Sequence, residues 1–311
     1  MATITKDARP TLTAVEMDRG DELVYTLAAG DTRRLKLLDT AARVTHTTLE
    51  TPKVQQSGAV TNYEFTATLE VDGRPHTLWR EVATQRSFYE PWILDGMAVY
   101  LDAADAIFEF LTEEHGDCRP RKAARLGVHE AGAGVCPDLL HPWCPLPPGG
   151  LNIRDCYNGE DCWLGAYFGA AAHGGLDLNH PAGTPIFAPF EIDEHGLFNT
   201  TYDGHNNNRW RGRHTWPDGS TWVVQVHHLI GYLNHDVQGR PLAAGEQMAR
   251  GAGVGVGGHE HSHFVFAVIE PGETFEDRIL LDPWILFRQM YIDQHGRREA
   301  RPPEEKGRSS A

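Results

Sequence analysis

The 311-residue chain lacks several features that would assign it to a broad class of protein. No apolar run approaches the roughly 20 residues that a helix needs to cross a bilayer, so we expect no transmembrane segment. The first residues contain no apolar core of the kind that a signal peptide requires. Positive charge is scarce, because 28 Lys and Arg face 43 Asp and Glu, which gives a formal net charge of −15. Since nucleic-acid binding needs clustered cations, we expect no nucleic-acid partner.

Cysteine is also scarce, and its distribution is uneven. The five cysteines all fall between Cys118 and Cys162, and none of their spacings is C-x-x-C, which excludes the usual pattern of a zinc ribbon. One interpretation is a Pro- and Gly-rich stretch held by one or two disulfides, and the other is a set of free thiols. The odd number leaves at least one cysteine unpaired within the chain.

The sequence predicts a mainly β protein with few helices. Strand-like alternation fills residues 20–100, where the segment 63–71 is followed by the hairpin turn Asp72-Gly73. Apolar residues lie on one stripe of residues 101–114 and predict a helix there. The predicted units are a β-rich accessory domain, a Cys/Pro-rich connection, a second strand-rich domain and a charged, disordered tail, spanning residues 1–115, 116–164, 165–290 and 291–311.

The stretch GGHEHSHFVF, residues 257–266, permits two metal-binding interpretations. As H-E-x-x-H on a helix, His259 and His263 would be zinc ligands and Glu260 a general base. As H-x-H on a strand, His261 and His263 would point to one face and Glu260 would point away from it. A glycine-rich run precedes the histidines, and aromatic and β-branched residues follow them, so the pattern favours the strand.

Two further segments carry candidate ligands and catalytic groups. His173 and Asp177 have the spacing H-x-x-x-D, which in an extended strand would separate them by about 13 Å, too far to share one ion. The Gly-Gly pair between them allows the chain to bend. Taken in isolation, the segment has an alternative interpretation, in which His173 caps a loop and Asp177 is a turn residue and neither binds a metal. His227 and His228 close a predicted strand, where an exposed polar terminus is the alternative to a catalytic function.

Taken in order, these segments resemble the M23 metallopeptidases, the LytM and lysostaphin-like family. The family pattern is an H-x-G-x-D segment with a P-x-G-T-P turn, a Y-x-H-L strand end, a glycine-containing loop, an H-x-H-F strand and a closing D-P. The matching segments here are HGGLDLNHPAGTPIFAP, VHHL, LAAGEQMARGAGVGVG, HSHF and DP. The resemblance covers about residues 165–290 and implies an antiparallel β-sheet catalytic domain of the LytM type.

Carried over position by position, the resemblance implies that His173, Asp177 and His263 bind Zn²⁺. It also implies that His228 and His261 are the catalytic histidines. Two neutral imidazoles and one carboxylate leave the zinc a net positive charge, which lowers the pKa of a bound water and polarises a carbonyl oxygen.

Several positions depart from the family pattern. Val226 stands where the family has Tyr, and His227 next to it is a one-residue alternative to His228. Tyr167, which precedes the first ligand, is either an oxyanion donor or an aromatic packing residue. His259 has no counterpart in the family, and we expect it at the rim of the site.

The resemblance implies a zinc-dependent endopeptidase that hydrolyses peptidoglycan cross-bridge or stem peptides. The alternatives are a catalytically silent relative that binds the cell wall or a partner enzyme, and a zinc hydrolase with another substrate. All five candidate positions are filled, which favours an enzyme. The family role implies a periplasmic or extracellular location, whereas the lack of a visible signal peptide leaves the cytoplasm open. The sequence does not predict the oligomeric state.

Overall fold

The computed structural model describes residues 1–200, 207–253 and 260–295. Within these ranges β-strands dominate, and one α-helix, α1, spans Trp284–His295. The strands are β1 (Thr3–Asp7), β2 (Thr13–Met17), β3 (Glu22–Thr26), β4 (Thr32–Thr47), β5 (Thr61–Val71), β6 (Arg74–Val82), β7 (Trp92–Leu94), β8 (Met97–Ala104), β9 (Glu113–His115), β10 (Ala124–Glu130), β11 (Ala166–Tyr167), β12 (Ala171–His173), β13 (Leu176–Asn179), β14 (Pro185–Phe187), β15 (Glu194–Asn199), β16 (Asn208–Thr215), β17 (Thr221–Leu229), β18 (Gln247–Arg250), β19 (His261–Ile269) and β20 (Ile279–Leu281). The short 3₁₀ helices are Gln85–Ser87, Asp105–Glu109, Ile153–Asp155, Tyr157–Gly159, His235–Val237 and Phe275–Asp277.

The predicted fold class, mainly β with antiparallel sheets and few helices, is confirmed. Among the strand pairings of the described residues, only β1 with β3 and β9 with β12 run parallel. No helix in the described ranges is long and apolar enough to span a membrane.

Sheet A has the strand order β1-β3-β4-β5-β6. β5 and β6 form the predicted hairpin, in which Asp72 and Gly73 both have positive φ, 45° and 81°. Positive φ at both central residues defines the type I′ turn, whose twist matches that of the flanking strands. The turn therefore pairs Val71 with Arg74 and sets the register of the whole hairpin.

Sheet B, with the order β2-β10-β8-β7, contradicts the helix predicted for residues 101–114. Residues 101–104 end β8, a short 3₁₀ helix follows at Asp105–Glu109, and β9 begins at Glu113. Every residue of β8 is buried, and the strand pairs with β10 on one side and β7 on the other. Burial on both faces and cross-strand pairing thus override the helical periodicity of a short apolar segment.

Sheet C is small and links two regions that are distant in the sequence. Its order is β11-β12-β9, and β12 pairs in parallel with β9 so that His173 lies opposite His115. β9 belongs to the predicted accessory domain and β12 to the predicted catalytic domain. The boundaries of the four predicted units stay a prediction, and this pairing joins the first unit to the third across the predicted connection.

Sheet D positions the candidate site. Its order is β13-β19-β17-β16-β15, with β20 also paired to β19, while β14 and β18 form a separate two-stranded sheet. One face of sheet D is buried in the core through Trp210, Trp222 and Phe266. Because side chains alternate along a strand, His227 and His263 project from the other face.

A buried ionic network joins sheets A and B to the end of β20. Arg80 donates a hydrogen bond to the carboxylate of Asp282 and another to the backbone oxygen of Asp102, at 2.7 Å. The Asp102 carboxylate accepts from Arg125 at 2.6 Å and from the Asp282 amide at 2.6 Å. Each charge is therefore compensated inside the protein, where an unpaired charge would be costly.

The five cysteines are all free and buried, so the thiol interpretation is the one that the structure supports. The predicted tail, residues 291–311, overlaps the described part of the chain at its first five residues. Residues 291–295 form the last part of α1 and Tyr291 donates a hydrogen bond to the backbone oxygen of Pro147. Residues 296–311 lie outside the described part of the chain.

Candidate functional site

Three side chains from three strands converge in a buried cluster. His173 ends β12, Asp177 lies on β13 and His263 on β19. The Nδ1 atom of His263 is 2.7 Å from Oδ1 of Asp177 and 3.1 Å from Nε2 of His173. Nε2 of His173 is 3.4 Å from Oδ2 of Asp177. One ligand atom from each residue lies within 4.8 Å of the others, so the cluster can hold a metal ion.

Strand pairing and a glycine pair create this convergence. Asp177 lies directly opposite His263, so their side chains share one face of the sheet. A Cβ atom at Gly175 would collide with the imidazole of His263, and one at Gly174 would lie 3.0 Å from the backbone oxygen of His115. The two glycines therefore leave the room that the close packing of the H-x-x-x-D segment against these neighbours needs.

The protonation of the cluster suits metal binding. Nδ1 of His173 lies 3.3 Å from the carbonyl oxygen of Cys162, which can only accept, so Nε2 keeps its lone pair for the cluster. Burial lowers the pKa of His173 to about 4, which keeps the imidazole neutral. Burial would raise the pKa of Asp177, but the neighbouring His173 and His263 lower it below its usual range. The cluster therefore offers imidazole nitrogen and an ionised carboxylate.

The spacing of the candidate ligand atoms is close to that around a zinc ion. Tetrahedral zinc with bonds of about 2.0–2.1 Å separates its ligand atoms by about 3.3 Å. The two imidazole nitrogens, Nδ1 of His263 and Nε2 of His173, are 3.1 Å apart, and they lie 2.7 Å from Oδ1 and 3.4 Å from Oδ2 of the Asp177 carboxylate, respectively. Two histidines and one carboxylate are also a usual donor set for a catalytic zinc with one open position. The residues fit the metal, and their assignment as ligands stays a prediction.

His261 lies at the edge of the cluster. Its Nε2 is 3.5 Å from Oδ2 of Asp177, and its side chain is buried. The ring of Tyr157 stacks on it with 4.2 Å between centroids, and the ring of His228 meets it edge to face at 4.5 Å. Aromatic contacts on two sides thus fix the position of the His261 imidazole.

His228 reaches the cluster through an unusual backbone conformation. Its φ of 62° lies in the left-handed region, which interrupts the alternation of side chains at the end of β17. Its Nδ1 is 2.6 Å from Oδ1 of Asn207, an oxygen that can only accept, so Nδ1 carries the hydrogen and Nε2 keeps its lone pair. Burial lowers the pKa of His228 to about 3, so the ring is neutral near pH 7.

Neighbouring side chains on a regular strand point to opposite faces, so we expected His227 to point away from the side of His228, and that expectation was wrong. His227 pairs in register with His263 and its ring stacks on the His263 ring, with 4.6 Å between centroids. The ring of His228 is 6.3 Å from that of His263, so both histidines border the cluster. The left-handed backbone at His228 is the reason, because it turns that side chain to the same side as its neighbour.

The aromatic surroundings of the cluster were only partly predicted. Tyr167 stacks on His115 at 4.2 Å, and its ring lies 6.3 Å from that of His173. These ring contacts are those of an aromatic packing residue, and the alternative, that the Tyr167 hydroxyl donates to an oxyanion, stays a prediction. Sequence reasoning missed His115 and Tyr157, which contact His173 and His261. Neither belongs to a spacing pattern, so only the fold shows that they lie at the site.

Two buried carboxyl groups beside the cluster were also missed. The backbone oxygen of Asp161 accepts from the amide of Asp177 at 2.9 Å. Both carboxylate oxygens of Asp161, and Oε2 of Glu160, are buried without a hydrogen-bond partner among the described residues. Burial raises the pKa of Glu160 to about 8, and burial together with Asp177 raises that of Asp161 well above its usual value.

The H-x-H segment is a strand, and the helical interpretation is wrong. β19 begins at His261, and the side chain of Glu260 just before it is exposed rather than directed at the cluster. Ser262, between the two histidines, faces the other way and lies 2.8 Å from Nε2 of His180. His259, expected at the rim, lies outside the described residues.

Comparison with known proteins gives weak similarities only. No family model and no curated protein matches the chain. It is similar to the solved catalytic domain of lysostaphin, an antimicrobial peptidase from Staphylococcus simulans, with 17% identity and a TM-score of 0.27, over 48% of this chain and 90% of that one. For a solution structure of lysostaphin the identity is 21% and the TM-score 0.28, over 48% of this chain and 50% of that one. For Helicobacter pylori Csd3 the values are 9% and 0.26, over 91% and 80%. TM-scores this low assign neither a family nor an activity.

Proposed function

We propose that the chain is a zinc-dependent endopeptidase. The observation that carries the proposal is the buried cluster of His173, Asp177 and His263, with two further histidines at its edge. Zn²⁺ held by these three residues would lower the pKa of a water molecule toward about 7 and polarise the carbonyl oxygen of a peptide bond.

The two edge histidines have different tasks in this proposal. His261, beside Asp177, is positioned to accept a proton from the attacking water and to return it to the leaving amine. His228 has its Nδ1–H engaged by Asn207 and presents a lone pair on Nε2. A neutral ring in that state accepts a hydrogen bond from water, so His228 orients the water rather than donating to an oxyanion.

The proposed substrate is peptidoglycan, cut in its cross-bridges or stem peptides. This part rests on the ordered sequence motifs, which resemble the M23 metallopeptidases. In this proposal an extended peptide lies along the face of sheet D from which His227 and His263 project, with one backbone carbonyl directed at the cluster.

The test combines metal analysis with digestion of purified peptidoglycan and identification of the products by mass. We expect about one zinc per chain and new peptide termini. The Asp177→Ala variant should lose both zinc and cleavage, whereas Asp236→Ala, at an exposed carboxylate, should keep both. Full zinc occupancy in Asp177→Ala would remove Asp177 from the ligand set. A wild-type protein that holds zinc and releases no fragment would favour a silent binder or another hydrolase.

A further inference from the structure

An arginine on the same side of sheet D as the cluster contacts two aromatic rings. The guanidinium carbon of Arg211 lies 4.4 Å from the ring centroid of Phe198 and 4.9 Å from that of Phe275. These rings and Arg211 line a groove of about 370 Å³, together with Gly196 and Val223. Stacked rings fix the plane of a guanidinium and leave its N–H edge free to bind a planar anion.

This groove lies on the same face of sheet D as the metal cluster. His263 pairs with His227, and two residues earlier on β17 Gln225 pairs with Arg211. Since side chains two residues apart share a face, all four project from the same side. Phe198 connects them, because its ring lies 5.8 Å from that of His227 and also contacts Arg211.

Arg211 differs from two nearby arginines in having no acidic partner within the described ranges. On the same strand, Arg213 forms an ion pair with Glu194, and Arg278, which also contacts the Phe275 ring, pairs with Asp117 at 3.0 Å. Arg211 forms no ion pair with a described residue, and its Nε is buried without a hydrogen-bond partner among them. In a chain with a net charge of −15, an arginine that has no acidic partner in the described part of the chain points to an anionic ligand.

We propose that Arg211 forms a subsite for a carboxylate of the peptide substrate. The proposal rests on the proposed peptidase function and specifies its substrate class. The backbone of Arg211 lies about 12 Å from that of His263, because two spacings between neighbouring strands and one two-residue step along β17 separate them. An extended peptide covers about 3.3 Å per residue, so the carboxylate would lie three to four residues from the bond that is cut. Arginine binds a carboxylate through two parallel hydrogen bonds, which gives this subsite its selectivity.

The test uses two sets of short peptides that differ only in ending with a free carboxylate or a carboxamide. Within each set, the cleaved bond is placed one to five residues from that end. Wild-type protein should cleave the carboxylate form with a kcat/KM about ten- to hundredfold higher, with the largest ratio at three to four residues. In Arg211→Gln the ratio should fall to near one, and in Arg213→Gln it should stay at the wild-type value. An unchanged ratio in Arg211→Gln, or no preference in wild type, would overturn the subsite.

Binding measured without turnover separates this proposal from the proposed function. In the zinc-loaded His261→Ala variant, calorimetry should show tighter binding of the carboxylate peptide than of its carboxamide, and adding Arg211→Gln should remove the difference. If wild type cleaves no peptide but this difference is present, the subsite stands and the peptidase assignment fails. If wild type cleaves both forms equally and no binding difference is found, the peptidase assignment stands and the subsite fails.

Discussion

The imidazoles of His228 and His261 meet edge to face, with 4.5 Å between their centroids. His228 is not needed to complete the predicted ligand set, so its contribution should be to the transition state rather than to metal binding. We expect His228→Ala to keep zinc and fold while its cleavage rate falls by about 10²–10⁴, the usual loss of a positioned proton-transfer or water-orienting group. Metal content and kcat of the purified variant measure the two effects separately.

His227→Ala is the matched control for that change. Because His227 stacks on the ring of His263, its loss should loosen that candidate ligand and weaken zinc binding by about tenfold or more. With zinc in excess, the cleavage rate should return to within a few-fold of the parent. If instead His227→Ala abolishes cleavage at full zinc occupancy and His228→Ala does not, the two catalytic assignments must be exchanged.

Substitutions of the neighbouring residues Glu260 and His261 should have different effects on the cleavage rate. The exposed carboxylate of Glu260 is not part of the cluster, whereas His261 lies 3.5 Å from Asp177. We expect Glu260→Gln to cleave within a few-fold of the parent and His261→Gln to lose about 10²-fold or more. Cleavage assays on zinc-loaded proteins provide the comparison. A Glu260→Gln variant that binds zinc but is inactive would mean that this carboxylate is the base.

The buried ionic network should dominate the stability of the junction between sheets A and B and the end of β20. Burial raises the pKa of Asp282 to about 6 despite the adjacent Arg80. Arg80→Met would leave that carboxylate buried and uncompensated at pH 8, and we expect a loss of about 3–5 kcal/mol in the free energy of unfolding. Urea unfolding measures the loss, and Arg86→Met, at an exposed pair with Glu81, should cost less than about 1 kcal/mol. Equal losses in the two variants would contradict the role of the network.

Local sequence patterns predicted the strand containing His261 and His263, because a glycine-rich run and β-branched residues disfavour a helix there. They also predicted the hairpin at Asp72 and the convergence of His173 with Asp177, where a glycine pair allows the bend. In each case a few neighbouring residues decide the outcome.

The remaining features depend on contacts between distant segments. Residues 101–104 belong to β8 because two partner strands enclose that strand, although the sequence pattern predicted a helix over residues 101–114. Tyr157 and His115 reach the cluster through folding alone, and period-two alternation cannot predict the left-handed backbone of His228. The stacking of Arg211 likewise needs Phe275, which lies 64 positions further along the chain. Single-sequence patterns contain no information on such pairings.

Glu160 should make stability depend on pH. Burial raises the pKa of this carboxyl group from 4.5 to about 8, so the folded protein holds a proton that the unfolded chain releases above about pH 4.5. The resulting stabilisation is complete below that pH and is lost progressively as the pH rises to about 8. Glu160→Gln has no proton to lose, so its free energy of unfolding should fall less between pH 5 and pH 8 than that of wild type. Urea unfolding at both pH values measures this difference, with the exposed Glu276→Gln as a control that should follow wild type. The same pH dependence in Glu160→Gln and wild type would show that the Glu160 carboxyl is already ionised in the folded protein.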